Sequence, residues 1–96
     1  MPSLQIDFED GFSGDTVVVR AEGRELWRED DVTTNDAITL ATIARFDVPA
    51  GAQVEVSVPT RRLTATERVE TPYLEVRIDN AGQLELLPSS MLPPHM

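Results

Sequence analysis

Apolar and polar residues alternate in short segments along this chain, and turn-forming residues separate one segment from the next. In residues 3–9, for example, Leu4, Ile6 and Phe8 occupy every second position. Alternation with a period of two places one set of side chains on one face of a β-strand, whereas an amphipathic helix needs apolar residues three or four positions apart. The pattern therefore predicts an all-β fold.

Two of the turns between these segments have recognisable chemistry. Glu22 and Gly23 suit a tight hairpin, and residues 79–82 end in a Gly where a left-handed residue is needed. Segments spaced this regularly predict two packed sheets, an antiparallel β-sandwich of seven to eight short strands. The candidate strands are residues 3–9, 16–22, 24–29, 42–48, 53–58, 63–70, 73–78 and 83–87.

Residues 29–41 are harder to assign. Residues 29–36 are polar and are predicted to form a connection between strands. Asn35 or Asp36 could cap a helix, but the stretch that follows is rich in Thr and Ile, which favour strands. Residues 37–41 therefore stay open between a single helical turn and a strand.

Residues 46–56 read Phe-Asp-Val-Pro-Ala-Gly-Ala-Gln-Val-Glu-Val. This stretch resembles a hairpin that recurs in immunoglobulin-like and transthyretin-like sandwich modules. The resemblance covers about a tenth of the chain; it implies an architecture and no activity. We expect residues 1–87 to form this sandwich and residues 88–96, which are rich in Pro, to form an extended tail.

The composition excludes several classes of function. The 96 residues include no Cys and a single histidine, His95, and the net charge is −9. Such a charge repels nucleic acids and anionic lipids, so neither nucleic acid nor a membrane is an expected partner. With no secretory signal and no apolar run of about 20 residues, we expect a cytoplasmic protein, or a secreted one if a leader has been removed.

The residues also argue against catalysis. Gly11-Phe12-Ser13-Gly14 approaches the nucleophile motif of serine hydrolases, but Asp15 stands where that motif requires Gly. The only His lies in the tail, so Ser13 has no evident base to activate its hydroxyl. We expect a turn at this position, no enzymatic activity and no cofactor.

A weak metal candidate is the group of acids around this Gly-bearing loop. Calcium takes six to eight oxygen ligands from loops of this kind, but the spacing fits no recognised calcium motif. A second acidic cluster, residues 29–31, could meet the first at one end of the sandwich, although a solubilising loop is the simpler interpretation. The candidate ligands are Asp7, Glu9, Asp10 and Asp15.

Trp27 and Tyr73 are the residues that could stack on a sugar ring. A lone Trp in a small sandwich more often packs against the core, so we place Trp27 in the core and Tyr73 at the surface. The basic pair Arg61-Arg62 could dock an anionic group, but we expect it to form a turn and to pair with Glu67 or Asp47.

These observations favour a non-catalytic protein-binding or assembly module. Small β domains present strand edges, and main-chain pairing along an edge gives affinity without specialised residues. We expect the contact to use a sheet face, an edge strand or the tail, with another protein or a second copy as the partner. The alternative is a ligand-binding module, either Ca²⁺-dependent or carbohydrate-binding.

Overall fold

In a computed structural model, the chain forms two packed four-stranded sheets, which confirms the predicted all-β sandwich. The structure describes residues 3–35, 37–38, 40–49 and 51–89. A single 3₁₀ turn, Pro59–Arg61, lies between the fifth and sixth strands of this part of the chain. The strands are β1 (Ser3–Phe8), β2 (Asp15–Ala21), β3 (Arg24–Val32), β4 (Thr42–Asp47), β5 (Ala52–Val58), β6 (Leu63–Val69), β7 (Tyr73–Ile78) and β8 (Leu84–Ser89).

The strand order is β4-β1-β7-β8 in the first sheet, sheet A, and β3-β2-β5-β6 in the second, sheet B. Neighbouring strands are antiparallel with one exception, since β1 and β7 run parallel. Parallel neighbours need a long crossover connection. Here all four strands of sheet B lie between β1 and β7 in the sequence, so the connection from β1 to β7 is long enough for a parallel pair.

The core follows the alternation that the sequence predicts. Side chains at every second position of β1, β5 and β7 are buried between the sheets, and the residues between them face outward. Strand ends and loops close the core, with Phe12 and Val48 buried at 3% exposure each. The main inward side chains of these strands are Leu4, Ile6, Phe8, Val54, Val56, Val58, Leu74, Val76 and Ile78.

The predicted hairpin over residues 46–56 is wrong. Asp47 ends β4 in sheet A, whereas Ala52 begins β5 in sheet B, so these two strands belong to different sheets and do not pair. Val48 is buried at the end of the core, and the Ala52 N–H donates to the Pro49 carbonyl at 3.1 Å. A short loop with Pro and Gly can connect strands of different sheets as well as the two strands of a hairpin. Here β4 pairs with β1, and β5 pairs with β2 and β6.

The polar connection predicted for residues 29–36 begins later than expected. β3 continues to Val32, which is 1% exposed and pairs with Asp15 at the start of β2. As an edge strand, β3 presents its acids to solvent, so its later half lacks the alternation expected of a strand buried on one face.

After β3, Ala37 and Ile38 lie in a turn that is closed by the bridge between Asn35 and Leu40. The Ala37 N–H donates to Asn35 Oδ1 at 3.0 Å, so Asn35 supports this turn rather than a helix. Asp36, the other proposed cap, lies outside the described residues.

At the other end of the chain, β8 runs two residues past the predicted boundary at position 87, so Pro88 and Ser89 pair with β7. The rest of the predicted tail, including His95, lies outside the described residues. Across the part of the chain that the structure describes, no helix is long and apolar enough to cross a membrane.

Candidate binding edge

Asp15 holds one end of the sandwich together. Its side chain is 4% exposed and forms a bidentate ion pair with Arg61, with Nε 3.0 Å from Oδ1 and Nη2 2.8 Å from Oδ2. The Thr60 hydroxyl donates to Oδ1 and the Ser13 N–H donates to Oδ2, both at 2.8 Å. Asp15 therefore joins the turn before β2 to the 3₁₀ turn, which lies 46 residues away in the sequence.

This arrangement makes the Asp15 carboxylate a poor metal ligand. Burial acts to raise its pKa, but the hydrogen bonds from Arg61, Ser13 and Thr60, together with the Arg61 charge, hold the pKa below its usual 3.8. Each carboxylate oxygen already accepts two hydrogen bonds, so both are fully used by the protein.

The expectation that Arg61 pairs with Glu67 or Asp47 is wrong. Arg61 closes the 3₁₀ turn beside the first residue of β2, and its guanidinium reaches Asp15 there. Arg62, the next residue, adopts a left-handed conformation with φ of 57°. Arg61 therefore binds a buried carboxylate, whereas Arg62 occupies a turn position.

The other metal candidates do not join Asp15. Asp7 lies on β1 with its side chain on the outer face of sheet A, where it is 1% exposed and accepts a hydrogen bond from Gln5 Nε2 at 2.9 Å. Asp10 lines a polar cleft of about 340 Å³ that Arg61 also lines. Glu9, at the end of β1, pairs its N–H with the Val76 carbonyl at 2.7 Å. Among the described residues, no three His, Cys, Asp or Glu side chains are close enough to hold a metal ion.

The second acidic cluster, residues 29–31, comes close to the Gly-bearing loop at residues 11–14. Asp31 Oδ1 lies 3.7 Å from the position that a Cβ atom on Gly14 would take. Hydrogen bonds join the two segments: the Gly14 N–H donates to the Thr33 hydroxyl oxygen at 2.9 Å, and the Thr34 N–H donates to the Phe12 carbonyl at 2.9 Å. Protein hydrogen bonds therefore hold the segments together.

The two aromatic candidates lie on different surfaces. Trp27 packs against the core, where its ring stacks on Phe8 with centroids 5.1 Å apart and an angle of 11°, which confirms the core prediction. Tyr73 lies on the outer face of sheet A and lines a shallow pocket of about 220 Å³ with Gln5 and Arg45. The two rings therefore cannot form one stacking platform.

In the described part of the chain, four strands form the edges of the two sheets, and three of them carry features that discourage pairing with another strand. β3 has two breaks in register and a run of acids, β6 places Glu67 among its inward positions, and β8 contains Pro88. Bulges, inward charges and Pro are the devices by which natural sheets block their edges. The fourth edge, β4, has no Pro and no register break.

Among the residues that the structure describes, no strand pairs with β4 on the side away from β1. In β1, the N–H groups of Gln5 and Glu9 donate to the carbonyls of Pro72 and Val76, so the odd-numbered residues bond toward β7. The even-numbered residues of β1 therefore bond toward β4, where they oppose Thr42, Ala44 and Phe46. Bonding direction alternates along a strand. The groups directed away from β1 belong to Ile43, Arg45 and Asp47, which we call the β4 edge.

The side chains of the β4 edge lie on the outer face of sheet A. Arg45 and Asp47 are exposed and Ile43 is half-buried. The Arg45 Nε donates to Gln5 Oε1 at 3.0 Å, which holds the Arg45 side chain along the sheet surface. Phe46, on the inner face, packs against the core as a partly buried residue.

Sequence reasoning assigned the β4 strand but not its place at an edge. Edge position depends on which strands pair, and the alternation of β4 resembles that of strands paired on both sides. Comparison with protein-family models, curated proteins and solved structures finds no match to the chain.

Proposed function

We propose that the chain is a non-catalytic protein-binding or assembly module that takes up an additional β-strand from its partner along the β4 edge. The observation that carries the proposal is the row of outward backbone groups at Ile43, Arg45 and Asp47 on an unbroken edge strand. A partner strand added there gains main-chain hydrogen bonds, and the side chains along the edge give specificity.

The ligand-binding alternatives have less support. The candidate calcium ligands are dispersed, and Asp15 is fully used by Arg61, Thr60 and Ser13. The sugar-binding alternative needs adjacent aromatic rings, but Trp27 stacks on Phe8 against the core, and Tyr73 lies on the outer face of the other sheet.

The proposal is tested by site-specific photo-crosslinking in the native host. A photo-crosslinking amino acid replaces Arg45 in one variant, and in the matched control it replaces Thr66, an exposed residue of the β6 edge strand. We expect position 45 to capture one defined protein in at least about fivefold higher yield than position 66, because a strand bound along β4 lies within hydrogen-bonding distance of that edge.

A proline variant completes the experiment. Arg45→Pro removes an N–H that faces away from β1, so it blocks a partner strand while leaving the pairing of β4 with β1 in place. In this experiment the photo-crosslinking amino acid is placed at position 43, with and without Arg45→Pro. Capture from position 43 should fall to background in the proline variant, while the melting temperature changes little. Equal capture from positions 45 and 66, or capture from position 43 that survives Arg45→Pro, would exclude this function.

A further inference from the structure

We propose that the strand taken up along the β4 edge is β4 of a second copy of this chain, antiparallel and centred on Phe46. This inference rests on the proposed function of the β4 edge and names its partner. The observation behind it is charge: Arg45 and Asp47 are opposite charges two residues apart, on the same face and both exposed.

Symmetry restricts how two β4 strands can pair. A two-fold axis perpendicular to the sheet keeps the outer faces of both copies on the same side, so each residue opposes one from the same face. The free backbone N–H and C=O groups of one β4 strand must also face those of the other. Ile43, Arg45 and Asp47, which carry these groups, therefore oppose one another across the two strands. Three of the centres that satisfy both conditions also pair at least two of these bonding residues on each strand: Ala44, Arg45 and Phe46.

The centre on Phe46 is the one that matches the side chains. It places Arg45 opposite Asp47 of the second copy, twice by symmetry, and Phe46 opposite Phe46. Opposite charges and aromatic pairs directly across two strands stabilise the pair.

The other two centres lack this complementarity. A centre on Arg45 places two Arg45 side chains opposite each other, and like charges there are destabilising. That register adds one more backbone-paired residue on each strand, but it also places Ile43 opposite the Asp47 carboxylate. A centre on Ala44 places Arg45 opposite Ile43 and leaves the charges unmatched.

The resulting dimer joins two sheets A into one continuous sheet of eight strands. A single strand pair buries less surface than a standard stable interface, so we expect a weak, concentration-dependent dimer. Each copy carries a charge of −9, and β3 with its acids lies beside β4. This repulsion weakens at high salt, so the dimer is most readily detected there.

Sedimentation equilibrium of the purified chain tests the inference. The measurement covers about 10 μM to about 1 mM protein at about 0.5 M NaCl, where repulsion is screened and a small interface can be populated. We expect the wild type to shift from monomer toward dimer across this range. A chain that remains monomeric throughout would overturn the inference.

Charge swaps then test the register. Arg45→Asp and Asp47→Arg should each raise the dissociation constant by about tenfold or more, because each creates two like-charge pairs. The double swap restores both opposite-charge pairs and should return the constant to within about threefold of wild type. Arg68→Asp, on the exposed face of β6, makes the same charge change away from the edge and should leave the constant unchanged once its effect on net charge is screened. If the double-swap variant has a dissociation constant as high as those of the single-swap variants, the Phe46-centred register is overturned.

The photo-crosslinking experiment separates failure of this inference from failure of the proposed function. A crosslinked product of two copies of the chain supports both. Capture of a different protein at position 45 by a chain that is monomeric overturns self-pairing and keeps the β4 edge as a binding site. Absence of both a dimer and any capture overturns both.

Discussion

At the level of single residues, the ion pair between Asp15 and Arg61 should contribute more to the free energy of unfolding than the more exposed ion pairs do. Removing Arg61 leaves a carboxylate that is 4% exposed without two of its hydrogen bonds. We expect Arg61→Met to lower the free energy of unfolding by about 2–4 kcal/mol. Arg62→Met, at the adjacent exposed position, is the control and should change it by less than about 0.5 kcal/mol. Chemical denaturation measures both, and equal losses would contradict this role for Arg61.

The same ion pair predicts a pH dependence of stability. Because the folded-state pKa of Asp15 lies below its usual 3.8, the carboxylate stabilises the fold above about pH 3.8 and loses this contribution as the pH falls through the folded-state pKa. Hydrogen bonds from the Gln83 and Ala81 N–H groups also lower the pKa of Asp79, so the wild-type curve alone does not isolate Asp15.

Asp15→Asn isolates the contribution of Asp15. The difference in unfolding free energy between wild type and this variant should be largest above about pH 5 and should shrink below about pH 3.8. Denaturation curves recorded at a series of pH values measure it. A difference that stays constant across this range would show that the charge of Asp15 does not act through the ion pair.

Gly11 is required for steric reasons that the sequence does not reveal. It has φ of 92°, and a Cβ atom there would lie 2.3 Å from the Ile78 carbonyl oxygen. Gly11→Ala should therefore destabilise the fold by about 3 kcal/mol or more, through backbone strain and overpacking together. Gly23 has φ of 78° but open space around its Cα, so Gly23→Ala should cost only about 1 kcal/mol. Thermal melting compares the two, and similar costs would contradict the steric argument.

At the level of elements, the hairpin between β2 and β3 can be improved. Ala21 pairs with Arg24, and the two residues between them have positive φ, 51° at Glu22 and 78° at Gly23, as in a type I′ turn. Asn tolerates this conformation better than Glu, so Glu22→Asn should stabilise the fold by about 0.5 kcal/mol, despite loss of the 3.3 Å contact with the Gln53 N–H. Glu22→Ala is the control. This variant loses the same contact without gaining the turn preference of Asn, so it should be less stable than the Asn variant. An Asn variant less stable than wild type would show that the contact with Gln53 outweighs the gain in the turn.

The elements also show why some features are predictable from sequence and others are not. β1 and β7 bury every second side chain, so their alternation is visible in the sequence. The later half of β3 is an exposed edge, and no alternation marks it. The placement of β4 and β5 in different sheets and the contact of Asp15 with Arg61 depend on which distant segments meet, and so does the edge position of β4. Local pattern carries no information about such pairings.

At the level of the whole molecule, charge opposes compactness. The chain carries 17 acidic and 8 basic residues, and folding gathers them within a radius of gyration of 12.3 Å. The ion pairs formed by Arg20 with Glu55 and by Arg77 with Glu85 are partly exposed, and such pairs contribute little, about 0–1 kcal/mol each. Local pairing therefore does not cancel the repulsion among the remaining acids.

Screening of this repulsion should stabilise the fold. Between about 20 mM and about 1 M NaCl at pH 7, we expect the melting temperature to rise by about 5–10 °C, which corresponds to roughly 1–2 kcal/mol for a domain of this size. Dilute protein keeps the chain monomeric, so that dimer formation does not add to the rise. The control is the same titration near the sequence pI of 4.3, where the net charge vanishes and the rise should largely disappear. A rise of equal size at both pH values would mean that salt acts through burial of apolar surface, because that contribution does not depend on net charge.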